Sequence, residues 1–194
     1  MSAIAHRCAW VNLRNPLYVR YHDQEWGRRP KTDQTLYELF ILETFQAGLS
    51  WECVLNKREA IKAAFDGFDA ARIVSYDEKD VERLMATEGI IRNRAKLRAV
   101  VTNTRVCLKL REEFGSFRKY VESFAGTSCT VEPYTARTTS PVSGALSADM
   151  RRRGMKFVGS TTVYAFLQAA GFIDAHDPEC DLGKERVYER TAVC

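Results

Sequence analysis

A chain of 194 residues with 45% hydrophobic content can bury a core as one domain or as two small lobes sharing a cleft. Its 29 basic and 25 acidic residues leave a formal charge of +4, which permits an anionic partner without demanding one. No apolar run is long enough to suggest a membrane span, MSAIAHRCAW lacks the sustained apolar core of a secretion signal, and the six cysteines form no compact disulfide pattern, so a cytoplasmic or nuclear protein is expected.

In chain order, the first expected helix runs from Thr35 to Gly48, with Thr32 or Asp33 as its cap. Its apolar face carries Leu36, Leu39, Phe40 and Ala47, and Glu43 falls on that same face, an odd place for a carboxylate. A second helix follows from about Ser50 through Trp51, Val54, Leu55, Ile61 and Phe65. A third is expected after Ser75, with Glu78 completing a capping box, and Gly89 closing it. The longest helical pattern covers Asn93 to Arg111, and a shorter one Phe117 to Phe124. The stretch Ala125 to Val142, with Pro133 and Pro141, reads as a connection. A helix over Ser143 to Arg153, a turn over Lys156 to Gly159 and a helix from Ser160 or Thr161 to Gly171 form a helix, hairpin, helix unit over about 143–171. No convincing alternating strand pattern and no glycine-rich phosphate loop occurs, so the expected fold is all-α.

Two basic clusters, Arg92, Arg94, Lys96 and Arg98, and Arg151, Arg152, Arg153 and Lys156, are as compatible with ordinary solvated helix faces as with phosphate contacts. The histidines are more informative. His176 and Cys180, four residues apart in HDPEC, can reach one ion from a turn, and Cys8 with His22 would complete a Cys2His2 set suited to zinc; His6, two residues from Cys8, is the alternative to His22. Four protein ligands leave no position for water, so such a zinc, one per chain, would be structural.

Four stretches, CAWVNLRNPLYVRYHDQEWG, LETFQAGLSWECVLNKR, EGIIRNRAKLRAVVTN and RRRGMKFVGSTTVYAFLQAAGFIDAH, together resemble the 3-methyladenine DNA glycosylase I family. The resemblance runs from Cys8 to Cys180 and implies an all-α helix-hairpin-helix glycosylase fold. It also implies a single domain over 1–194, two helical lobes flanking a base-binding cleft, and a zinc on Cys8, His22, His176 and Cys180. It places the base pocket on Tyr21, Trp51 and Glu43, with Trp10 in the same region, and Glu43 and Tyr21 as the candidate catalytic groups. The hairpin, through Lys156, Val158, Gly159, Ser160 and Thr161, would grip the backbone of double-stranded DNA.

The implied reaction is hydrolysis of the N-glycosidic bond of 3-methyladenine in alkylated duplex DNA, on a base flipped out of the stack, with the free base released and an abasic site left. Tyr21 and Trp51 would stack on the cationic base, and Glu43 would accept a hydrogen bond from its amino edge. Asp174, the carboxylate of GFIDAH, reads as structural, orienting or capping the metal-bearing turn, and no lysine stands out as a Schiff-base nucleophile. A monomer is expected, nucleoid-associated or nuclear. The competing readings are a non-catalytic, zinc-containing DNA- or lesion-binding module, and a zinc-stabilised interaction domain with no nucleic-acid role.

Overall fold

Helix α2, Asp33–Gln46, is apolar on almost every side: Leu36, Tyr37, Phe40, Ile41, Leu42 and Phe45 are all buried, so it runs through the interior with helices packed around it. The computed structural model describes residues 4–132 and 137–183. Before α2 lies α1, Pro16–Gln24, and after it α3, Trp51–Ala64, a 3-10 turn at Asp66–Phe68, and α4, Ala70–Ile73. Next come α5, Glu78–Ala86, the long α6, Arg94–Phe114, and α7, Phe117–Ala125; α8, Pro141–Arg152, and α9, Ser160–Ala169, follow. The fold is all-α as the periodicity implies, with one addition. Thr130–Val131 and Ile173–Asp174 pair as a two-residue parallel bridge, β1 with β2, too short to leave an alternating pattern in the sequence.

Local chemistry sets the helix boundaries. Thr32 caps α2, its side chain accepting from the Thr35 amide at 3.0 Å. The capping box of α5 is not Ser75 with Glu78 but Asp77 with Asp80, each carboxylate accepting the other residue's amide; Ser75 instead donates to the Arg72 carbonyl. Pro141 does not belong to the connection: it sits in the first turn of α8, where its missing N–H costs nothing, behind the N-cap Ser140. The helix α1, absent from the sequence-based expectations, is announced by the same device, an Asn15 cap followed by Pro16.

Polar groups lock this packing. Lys96, buried on α6, donates from Nζ to the carbonyls of Phe45 and Ala47 at 2.7 Å each, capping the C-terminus of the central helix. Tyr37 shares a 2.6 Å hydrogen bond with Thr104, and Tyr120 donates to Asp149, which also pairs with Arg153, tying α7 to α8. Gly171, at φ +68°, is a close approach: a Cβ there would lie 2.6 Å from the Gly27 carbonyl oxygen, so the end of α9 and the strand of chain leaving α1 admit no side chain between them. Among the described residues no disulfide forms and no helix is long and apolar enough to cross a membrane.

Most members of the two basic clusters resolve into bland roles, the exposed Lys156 excepted. Arg94 pairs with Glu82, Arg98 with Glu78 and Arg152 with Asp149, Arg151 donates to Ser147, and Lys96 is buried. The tail from residue 184, including Cys194, and residues 133–136 of the connection lie outside the described residues.

Candidate functional site

Between the N-terminal segment and α9 lies a cleft of about 230 Å³ lined by Trp10, Tyr18, Tyr21, Trp26, Glu43, Gln46, Trp51, Ala165 and Gln168. The four residues proposed from sequence, Tyr21, Glu43, Trp51 and Trp10, are brought together here. Five more were missed. Tyr18 could have been found once α1 is recognised, since it lies one turn before Tyr21 on the same helix face; Trp26, Gln46, Ala165 and Gln168 carry no comparable signal.

Tyr21 and Trp51 form the aromatic wall, ring centroids 5.1 Å apart and inclined at 43°, and both are almost wholly buried. They also bound a second cavity of about 240 Å³ on their far side, toward Glu38, Leu39, Leu42 and Arg58. Glu43 lines only the first cavity, whereas the second is edged by charged side chains that include Glu25, Arg28, Glu38 and Arg58. Trp10 packs on Tyr18 at 5.4 Å and on Trp26 at 4.9 Å, extending the aromatic lining.

Glu43 is 2% exposed. Its Oε2 and the indole Nε1 of Trp51 are buried without hydrogen-bond partners, which is uncommon unless a ligand is meant to supply them. Burial pushes the Glu43 carboxyl up from an ordinary 4.5 to about 8, so it rests neutral at pH 7. Desolvation also raises the Tyr21 hydroxyl well above its usual range, with the nearby Glu43 adding to it. Both groups are poised in their neutral forms, and a cation entering the cleft would draw a proton off Glu43.

Beside the cleft, Cys8, His22, His176 and Cys180 place one ligand atom each within 4.8 Å of one another, all buried. The arrangement is set by carboxylates behind the rings. Asp23 holds His22 Nδ1 at 2.9 Å and Asp174 holds His176 Nδ1 at 2.7 Å, turning both Nε2 atoms toward the sulfurs. His22 Nε2 lies 3.6 Å from Cys180 Sγ, while His176 Nε2 is buried with no hydrogen-bond partner. The Asp177 amide donates to Cys8 Sγ at 3.4 Å, as it would to a thiolate. Without a cation burial pushes the Cys8 thiol up to about 12 and lowers His22, so both ligands prefer to be neutral. A thiolate here needs a metal's positive charge, and an orphaned imidazole nitrogen facing two sulfurs fits one. The cluster is a Cys2His2 site suited to a structural metal, and it links the first residues of the chain to the last described ones. His6 is not part of it: its side chain is 72% exposed and pairs with Asp181. Asp174 orients His176, the structural role expected of it.

The hairpin joins α8 to α9 with Phe157 at φ +56°. It is pinned from α6 by Asn103, which accepts from the Lys156 amide at 2.8 Å and donates to the Lys156 carbonyl at 3.0 Å, and from α8 by Ser147, which donates to the Val158 carbonyl. Lys156 therefore offers a side chain rather than an amide, and Val158 is buried as an anchor. Gly159 is the N-cap of α9 and supplies no side-chain cap, which leaves the first-turn amides of Ser160 and Thr161 pointing out of the helix N-terminus.

Comparison with known proteins agrees with this geometry. Residues 10–183 match the methyladenine glycosylase family model. The DNA-3-methyladenine glycosylase 1 of Escherichia coli (strain K12) is 42% identical over 179 residues, covering 90% of this chain and 95% of its own. A crystal structure of a 3-methyladenine DNA glycosylase I superposes with a TM-score of 0.86 at 41% identity, covering 91% and 98% of the two chains. The Staphylococcus aureus 3-methyladenine DNA glycosylase I, solved for the basis of its 3-methyladenine recognition, does so with a TM-score of 0.86 at 34% identity, covering 92% and 97%. Matched along nearly its whole length by the family model, by a bacterial sequence and by solved structures, the chain belongs to the methyladenine glycosylase family.

Proposed function

We propose that this protein is a monofunctional DNA-3-methyladenine glycosylase, hydrolysing the N-glycosidic bond of 3-methyladenine in alkylated duplex DNA to give the free base and an abasic site. The observation that carries the reading is the pairing, in one aromatic cleft, of a buried neutral carboxyl, Glu43, with unmet hydrogen-bonding capacity on both Glu43 and Trp51. The flipped nucleotide enters the cleft and its cationic base stacks on Tyr21 and Trp51, with Trp10 closing the aromatic lining. Glu43 releases its proton through the cleft to solvent as the cation arrives and accepts a hydrogen bond from the amino edge of the base, which selects adenine over bases that present an acceptor there. Methylation at N3 has already made the base a good leaving group, so little acid catalysis is needed. The carboxylate also favours the positive charge that develops on the sugar as the bond breaks.

The hairpin holds the duplex through the Lys156 side chain and the amides of Gly159, Ser160 and Thr161, with Val158 anchoring it from below. Zinc is the metal read into the Cys2His2 site: Cys8 and Cys180 would hold it as thiolates, His22 and His176 through Nε2, and it supplies a structural cross-link rather than a hydrolytic centre. The whole chain is read as one domain whose two helical lobes flank the cleft, acting as a monomer in the compartment that holds the DNA.

The test is release of base from duplex DNA treated with a methylating agent, resolved by chromatography. Free 3-methyladenine from folded, zinc-loaded protein supports the reading. Salt-dependent DNA binding without release would replace it with a lesion-binding module, and absence of both with an interaction domain.

A further inference from the structure

The metal cluster and the cleft share a wall. Trp26, which lines the cleft, packs edge-on against His176 with centroids 4.5 Å apart and lies parallel to His22 at 6.2 Å. Trp10, also a lining residue, meets His22 at 5.3 Å and Trp26 at 4.9 Å. The chain interleaves the two sets: Cys8 precedes Trp10 by two residues, and His22 stands between Tyr21 and Trp26. Trp10, Tyr18, Tyr21 and Trp26, four of the lining residues, therefore come from the segment that carries half of the ligands. The N-terminal part of that segment rests on a small apolar cluster, Cys8, Val11, Cys180 and Leu182, which contains both ligand cysteines and against which Trp10 and Trp26 also pack. The ligand imidazoles are thus packing partners of the cleft indoles, which also rest against the main core, and whatever fixes the imidazoles adds to what holds the wall.

We propose that metal occupancy positions the Trp10 and Trp26 side of the cleft, so that the metal and the methylated base bind with positive coupling rather than the metal acting only as a staple. This rests on the reading of the cleft as the base pocket. A staple remote from the cleft would change stability alone. Here, loss of the metal leaves the two ligand imidazoles held only through Asp23 and Asp174, so the rings that contact the lining lose their second anchor and base affinity falls.

The experiment measures the affinity of free 3-methyladenine by calorimetry for metal-loaded protein and for protein stripped by a chelator, with far-UV circular dichroism confirming retained helix. The expected result is a weakening of about 5- to 150-fold on metal removal, the range of ordinary site-to-site coupling. By reciprocity, saturating base raises the metal affinity in chelator competition by the same factor. If the stripped chain unfolds, the Cys180→Ala variant serves in its place, since it removes a ligand while leaving His22, His176 and both indoles. Equal base affinity in loaded and metal-deficient folded protein overturns the coupling. Failure of the loaded wild-type protein to bind or release 3-methyladenine would instead overturn the base-pocket reading.

Discussion

Replacing Glu43 by glutamine should stabilise the free protein in a pH-dependent way while impairing its chemistry. The carboxyl sits at about 8 in the folded chain against an ordinary 4.5. A group raised in this way binds more protons folded than unfolded, so its stabilising contribution is complete below 4.5 and is lost as pH climbs to about 8. At about 1.4 kcal/mol per pH unit, the wild-type protein forfeits about 1 kcal/mol by pH 5, about 3 kcal/mol by pH 7 and about 5 kcal/mol above pH 8. Glutamine keeps the shape and carries no ionisable proton, so the gap between variant and wild type widens along that curve. Its amide adds only a pH-independent offset. Urea denaturation of both proteins at intervals from pH 4.5 to 8.5 gives the difference directly. Parallel stability curves across that range would refute the assignment of a raised, buried carboxyl to Glu43.

The same ionisation shapes activity: because a cationic base pairs with the carboxylate, kcat/KM for excision should rise from pH 6 and level off above about 8, and the rise should vanish in Glu43→Gln, as pH profiles of both proteins would reveal. Asn103→Ala removes both hydrogen bonds that pin Lys156 and should weaken duplex DNA binding several-fold while leaving the affinity for free 3-methyladenine unchanged; equal losses in both titrations would mean a general packing defect. Gly171→Ala forces a Cβ to 2.6 Å from the Gly27 oxygen at a positive φ and should cost more than about 2 kcal/mol, read from the thermal or denaturant midpoint. Chelation of the metal should lower the melting temperature and release two thiols to a thiol reagent, those of Cys8 and Cys180; an unchanged thiol count would argue against cysteine ligation.

Most helices, and four of the nine residues that line the cleft, could be read from the chain. Periodicity located α2, α3, α6, α7 and α9, and Glu43 stood out because a carboxylate sat among apolar positions. Residue types left His22 and His6 as alternatives in the ligand set, the family resemblance picked His22, and the fold agrees: His22 lies on α1 beside Asp23, while His6 points outward. What escaped were features with weak local signatures. α1 is only nine residues long and polar on average, and the Asn15 and Pro16 pair marks its start. Asp77 displaced Ser75 as a cap because two neighbouring polar residues compete for one helix start. The contacts of Trp26 with both ligand histidines, and the unmet hydrogen bonds of Glu43 and Trp51, depend on segments far apart in sequence and leave no local trace.

Single-turnover excision from a defined duplex bearing one 3-methyladenine, by wild-type and Glu43→Gln protein of equal zinc content, tests the proposed chemistry most directly. The cleft geometry predicts release of 3-methyladenine with formation of an abasic site by the wild type, and a rate at least about tenfold lower in the variant, the loss of one charge-assisted hydrogen bond. Undiminished excision by the variant would remove Glu43 from the chemistry, and no excision by folded, zinc-loaded wild-type protein would contradict the glycosylase assignment itself.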